Sequence, residues 1–442
     1  MQGILTALDT LEPELATRAS RAVTGPGGWW QGPLDVEALA RSSVGLALAA
    51  VETFATTVRG QNLHVTATFD DVAASFGSIS HLRVAGSAVK SFAPNSGFFP
   101  TADGWVRTHA NYPHHAERLR LALEVSRDDL VAPALHDLTS EEAESRIVGA
   151  GGITAAVATV PEWVAHRAPE TGPWISLTPR DYPTRRLSRI TSDDRPLQGV
   201  RVISLTRVIA GPTAAKFLAV LGADVHRIDP PQLPELRDSH LDTDLGVRCI
   251  ESDLKNARGL EELLTLLRSA DVLLTGYRPQ ALDHVGLTEE VLRDACPHLI
   301  HVNLSAWEPQ GARTGQRGFD SIVQAATGIA HLYRMVDPVR GWRPGALPVQ
   351  ALDHATGYGM AAAAVALLVQ QRAGRADLSL ERTTRSLLST APGGHDVHDI
   401  RDFTNMRFNP QCLASMKSTD GEVLYVPVPA RVNGTLSAAP GS

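Results

Sequence analysis

The chain has 442 residues, 43% hydrophobic and 20% charged, with 36 Gly and 28 Pro. That is the composition of a folded globular protein long enough for two domains, and it excludes a disordered chain or a single small binding module. A formal charge of −7 gives no ground for general affinity for nucleic acid or acidic membrane, so neither is expected as a partner.

Residues 11–85 read mainly as helix, clearest over Val44–Val58 and broken by Gly60. From Asn95 the pattern becomes two short apolar runs around the turn signal Asp103-Gly104, which predicts a hairpin, followed by a helix from about Tyr112. His109, His114 and His115 fall in this stretch without an acidic or Cys partner at ligand spacing, so no metal is expected there. Ser140, before an acidic first turn, predicts a helix start that runs to about Gly149. The Pro-rich, charged stretch from Pro169 to Pro196 reads as a linker. At Leu197 the character changes to strands alternating with helices, the signature of a parallel sheet covered on both faces. The division expected is a segment 1–167, a linker 168–196, a Rossmann-like domain 197–390 and C-terminal helices with a hairpin over 391–442. Gly393-Gly394-His395 reads as a turn.

Cys249, Cys296 and Cys412 are isolated, which predicts neither disulfides nor a zinc site. No basic region followed by an apolar stretch opens the chain and no uninterrupted apolar run has bilayer length, so a cytoplasmic protein is expected. Thr206–Pro212 lies where a strand passes to a helix, a place where free backbone N–H groups bind phosphate or carboxylate. It lacks the Gly-x-Gly-x-x-Gly pattern, which disfavours NAD. Asp353, ahead of an Ala-rich apolar helix, reads by physical chemistry alone as an N-cap.

The run PLQGVRVISLTRVIAGPTAAKFLAVLGADVHRID resembles the opening of the family III CoA-transferases, the CaiB/BaiF group that includes formyl-CoA transferase and the alpha-methylacyl-CoA racemases. The likeness continues in order through DLKNARGLEELL, ADVLLTGYRPQALDHVGLT, PHLIHVNLSAW, GQRGFDSIVQAATG and PVQALDHATGYGMAAAAVALLVQQRAGR. It implies an α/β fold with a Rossmann-like sheet and a smaller α+β domain. It also places the family's nucleophilic aspartate on Asp353, although Leu352 stands where the family more often has Gly. A weaker likeness, from the ADGWV hairpin to VATVPEW, puts small-domain material ahead of the large domain, as in a permuted or partly duplicated member.

What the resemblance implies is CoA transfer between an acyl-CoA thioester and a free carboxylic acid through an aspartyl intermediate. Coenzyme A is then a substrate, no metal is needed, and an interlocked homodimer is implied. The matched strand-end loops offer Arg207, Arg227, Lys255, Tyr277, Arg278 and Pro279 to CoA, together with the turn at Ile209 and Ala210. Backbone N–H groups at that turn or around Gly357 are candidate oxyanion donors. Phe319, Asp320, His354 and Gly357 are expected to line the pocket. Phe319 replaces the His of the racemases' Gly-His-Asp, which favours transfer over racemisation. An acyl-CoA isomerase or lyase, and a CoA-binding protein without turnover, remain as alternatives.

Overall fold

A computed structural model describes residues 1–90, 92–167, 172–187, 195–278, 280–389 and 412–438. The apolar run before Gly60 is helix α1 (Val36–Phe54), capped by the Asp35 carboxylate, which accepts the Ala38 N–H at 2.8 Å. The expected hairpin is β1 (Phe98–Pro100) and β2 (Trp105–Thr108), and Tyr112 is the cap residue of α2 (Pro113–Ala122), which has Pro in its first turn. Helix α3 (Ser140–Gly149) starts from Thr139 rather than Ser140. Glu142 stands three residues after Thr139 and closes a reciprocal capping box, whereas Ser140 has Ala143 at that spacing. Ser140 instead donates its N–H and hydroxyl to Asp103 at 2.8 and 2.7 Å, tying α3 to the hairpin turn. Strand β3 (Thr154–Ala156) pairs with β2, and this unit has its own core around Val106, Leu119, Leu135 and Ile147.

The stretch expected as a linker carries an edge strand, β4 (Ser176–Pro183). Its prolines and charges hide it, because an edge strand needs only one set of backbone partners and tolerates both. The Rossmann-like part follows with β5 (Arg201–Leu205), α4 (Ala210–Val220), β6 (Asp224–Asp229), β7 (Arg248–Glu251), β8 (Val272–Thr275) and β9 (Ile300–Ser305). Helices α5 (Asp320–Ala326) and α6 (Ala351–Val369) then lead into β10 (Arg372–Ser379). The seven-stranded sheet has the order β7-β6-β5-β8-β9-β10-β4, all parallel except β4, which runs antiparallel to β10. The fold is α/β with a smaller α+β unit, as the sequence implied.

All nineteen residues of α6 are buried, and its Ala-rich surface lets α1 and α4 pack closely on either side. Helix α1 therefore belongs to the large core, and residues 1–167 do not form one small domain: only about 98–156 do. The helices Val36–Arg59 and Ala351–Val369 are long and, on average, apolar enough to cross a membrane, although neither is an uninterrupted apolar run, and 83% and 100% of their apolar windows are buried in the protein. Beyond 411, Ala414–Ser418 and Gly421–Tyr425 form the expected hairpin, which extends onto Arg83–Val84, while Arg431–Val432 pairs with residues 65–66. The helices expected after 390 and the Gly393-Gly394-His395 turn lie outside the described residues.

Candidate active site at the Asp353 cavity

The sheet reverses its strand order between β5 and β8, and the loops leaving these two strands open on one crevice, the usual ligand position in such sheets. Beside it lies a cavity of about 580 Å³ with Asp320, Asp353 and His354 in its wall. The N-terminal segment supplies Phe76, His109 and Tyr112 to the same cavity, and the loop after β5 supplies Val208 and Ile209.

That loop is held under strain. Val208, a β-branched residue, sits at φ 73°, and its N–H donates to Glu235 at 3.3 Å. The Glu235 carboxylate also accepts the Tyr112 hydroxyl and the Arg207 Nε–H, the latter at 3.4 Å. Arg207 lies over the Tyr112 ring at 4.9 Å and donates to the Pro234 carbonyl at 2.9 Å. Arg207 thus docks the N-terminal unit onto the strand-end loop, where the sequence had offered it to CoA.

At the centre are two buried carboxylates. Helix α6 begins at Ala351, so Asp353 lies inside its first turn and is not its cap. Asp320, fully buried at the start of α5, does the capping from outside: it accepts the Asp353 N–H at 3.0 Å and a backbone hydrogen bond from Leu352. Its other oxygen takes the Gln324 amide, whose carbonyl in turn accepts the Leu347 N–H at 2.9 Å. The Asp353 carboxylate has no hydrogen-bond donor among the described residues. Burial, and then the charge of Asp320, raise its pKa well above the usual carboxylate range. Burial lifts Asp320 too, up to about 6, against the pull of its donors and of Arg107.

His109 is stacked flat on Phe319, with ring centroids 3.8 Å apart and 6° between planes, and burial with the nearby Arg107 charge pushes its pKa down to about 3. His354 is likewise kept neutral, at about 3, by burial and by Lys216; it faces Phe76 at 5.1 Å and Thr213 Oγ1 at 3.4 Å.

Several expected ligands are occupied elsewhere. Arg227 is 1% exposed and ion-paired with Asp229 and Asp244, so a buried charge network replaces the CoA contact expected of it. Gly357 is mid-helix, its N–H in the helix's own ladder, and a Cβ there would lie 2.3 Å from the Ala210 carbonyl oxygen. It serves the close crossing of α6 and α4, not an oxyanion. Gly357→Ala is expected to cost about 1–3 kcal/mol of stability, read by denaturant unfolding. Lys255 is exposed in the loop before residue 257 and lines none of these cavities. Ile209 and Ala210 open α4, and among the described residues the N–H groups of Ala210 and Gly211 have no backbone acceptor. Tyr277 and Arg278 do meet at a recess beside Gly318, and burial takes the Tyr277 phenol up to about 12. Pro279 lies outside the described residues.

Sequence reasoning missed His109 and Tyr112 as residues of the cavity wall. The run THANYPHH was conspicuous, but no local pattern indicated which part of the chain it would face.

An aspartate pair thus lies beside the switch point of an open α/β sheet. Residues 197–390 match the model of CoA-transferase family III. Among curated proteins it is 31% identical over 198 residues to a probable fatty acyl-CoA transferase of Mycobacterium tuberculosis, covering 42% of this chain and 49% of that one. It is 32% identical over 147 residues to formyl-CoA:oxalate CoA-transferase of Escherichia coli, covering 30% and 35%. To succinyl-CoA:glutarate CoA-transferase of Mus musculus it is 31% identical over 196 residues, covering 41% and 44%. The chain spans half or less of the length of these relatives. Of solved structures, that of the M. tuberculosis protein aligns at 28% identity and TM-score 0.41, covering 44% of this chain and 56% of that one.

Proposed function

We propose that the protein transfers coenzyme A between an acyl-CoA thioester and a free carboxylic acid, with Asp353 as the nucleophile. One observation carries this: a buried carboxylate facing a large cavity, with no hydrogen-bond donor among the described residues, on a backbone pinned by Asp320. Such a group is poorly solvated and fixed, which suits attack on a carbonyl carbon. The matched family and the CoA-transferase names of the relatives support the same reading.

In this mechanism an Asp353 oxygen adds to the thioester carbonyl, the C–S bond of the tetrahedral adduct breaks, and CoA leaves as thiolate, so that a mixed anhydride of Asp353 and the acyl group remains. The thiolate then attacks the aspartyl carbonyl, releasing the first carboxylate and leaving CoA on Asp353. A second carboxylate attacks that thioester, and the thiolate returns to the new acyl group, which frees Asp353. Each addition makes an oxyanion, for which the first N–H groups of α4, at Ala210 and Gly211, are the candidate donors.

A second reading, proton transfer at the carbon next to the thioester, draws on Asp320, whose pKa of about 6 suits an acid–base group. Incubation with a panel of acyl-CoAs, then hydroxylamine and mass spectrometry of the Asp353 peptide, separates the two. A hydroxamate on Asp353 is the expected outcome. Exchange of the substrate proton with deuterated water, with no adduct, overturns transfer in favour of the second reading.

A further inference from the structure

Three side chains of metal-binding chemistry converge beside the wall of the Asp353 cavity. The helix Arg237–Thr243 gives Ser239 and Thr243 to that wall, carries His240, and ends at its C-cap Asp244. Gly246, at φ 77°, turns the chain back into the edge strand β7, where Cys249 stands opposite Arg227 of β6. One donor atom each from His240, Asp244 and Cys249 then lies within 4.8 Å of the other two. His240 Nδ1 contacts Asp244 Oδ2, and Cys249 Sγ stands 3.5 Å from the same oxygen. The other Asp244 oxygen is held by Arg227 Nη1 at 2.5 Å and by the Thr243 hydroxyl at 3.2 Å. Arg227 is also bound through Nε and Nη2 to Asp229, at 3.0 and 2.7 Å, and its Nη2 lies 3.2 Å from His240 Nδ1. The outer side is open to solvent: Cys249 is exposed, and the His240 side chain is 45% exposed.

In a tetrahedral zinc site, a Zn–S bond of about 2.3 Å and a Zn–O bond of about 2.0 Å set the two ligand atoms about 3.5 Å apart. The Sγ–Oδ2 separation matches that edge. A mixed nitrogen, oxygen and sulfur set suits zinc, whereas calcium and magnesium take oxygen ligands. Arg227 and Thr243 fix the Asp244 carboxylate from behind and leave Oδ2 for the ion, the outer support a metal-bound carboxylate needs. A proton now joins His240 to Asp244, and hydrogen bonds from Asp244 and then Cys249 hold the imidazole pKa up at about 10. We infer that His240, Asp244 and Cys249 form a three-ligand zinc site, with solvent in the fourth position, that clips the cavity-wall helix to the edge of the sheet. On binding, the imidazole proton and the thiol proton pass to solvent and the exposed imidazole moves outward to admit the ion. The charges of the ion and Arg227 then offset those of Asp229, Asp244 and the thiolate. The site stands apart from the chemistry at Asp353 and does not depend on it. Spacing alone hid it, because a single Cys meets its partners only through the turn at Gly246.

The test strips the full chain with a chelator and titrates it with Co²⁺ and then Zn²⁺. The wild type is expected to develop a near-ultraviolet thiolate-to-cobalt band that saturates at one equivalent, and to lose it as Zn²⁺ displaces Co²⁺. Zn²⁺ should also raise its melting temperature by several degrees. Cys249→Ser should abolish the band, and His240→Gln should weaken Zn²⁺ binding about tenfold or more. Cys412→Ser is the control and should change neither. Cys249 is exposed, so its replacement leaves the core untouched, and Asp244 is kept because it holds the buried Arg227. The inference falls if the wild type shows no band and no Zn²⁺-dependent rise in melting temperature; the three residues are then an ion pair beside a thiol. It falls equally if the band survives Cys249→Ser, or if His240→Gln binds Zn²⁺ as tightly as the wild type. Should His240→Gln fail to fold, Cys249→Ser decides alone.

Discussion

Asp353→Asn is expected to lower turnover by about 10⁴-fold or more and, at pH 7, to raise the melting temperature by a few degrees. The first effect follows from the amide's inability to form the anhydride. The second follows from linkage. Burial, then the charge of Asp320, raises the folded-state pKa of Asp353 above its unfolded value, and burial raises that of Asp320 to about 6. Between the ordinary carboxylate range and about 6, the folded state therefore binds more protons than the unfolded one, so stability falls as pH rises through that window. At pH 7 the folded chain either carries a buried charge on Asp353 beside Asp320 or keeps there a proton that the unfolded chain releases; both cost stability, and the uncharged amide removes that cost. Scanning calorimetry at pH 5 and pH 7 checks it: the stabilisation by Asp353→Asn should be smaller at pH 5, and a Tm that drops equally at both would refute the electrostatic account.

Asp320→Asn addresses the same pair from the other side. Turnover needs Asp353 ionised, so kcat should rise with pH along an acid limb set by burial and by the Asp320 charge. Asparagine keeps an oxygen to accept the Asp353 N–H, yet removes the like charge. The limb should then move to lower pH by about one unit or more. The maximum rate should also fall, because the Gln324 amide loses its carboxylate acceptor and the start of α6 is less firmly held. A pH profile of kcat against KM separates the two consequences: a purely structural role for Asp320 would lower the maximum without moving the limb.

The class of fold and the position of Asp353 were legible because both rest on local order along the chain: strands alternating with helices, and six family-like segments in sequence. What was not legible depended on partners distant in sequence. An Asp before an Ala-rich helix is a good cap by local chemistry, but Asp320, on another helix, takes that role and leaves Asp353 free. Arg227 reads as a strand-end cation, and only the folded chain brings Asp244 to neutralise it. The glycine at 357 is required by a carbonyl on α4 and not by any pattern around it. The strand within the supposed linker shows no alternation because it lies at the sheet edge beside β10. His109 carries no local sign that it will lie on Phe319, more than two hundred residues later.

The pairing of residues 65–66 with Arg431–Val432, and of Arg83–Val84 with residues 423–424, has a bearing on how the protein is made. Roughly 340 to 370 residues must leave the ribosome before these early strands meet their late partners, which at ordinary synthesis rates takes on the order of tens of seconds. Throughout that interval their backbone edges lack their final partners, beside an apolar α1 whose packing partner α6 is also still to come. The chain is therefore expected to fold as a late, long-range closure with a strong dependence on chaperones, even though its Rossmann-like part is built from local units.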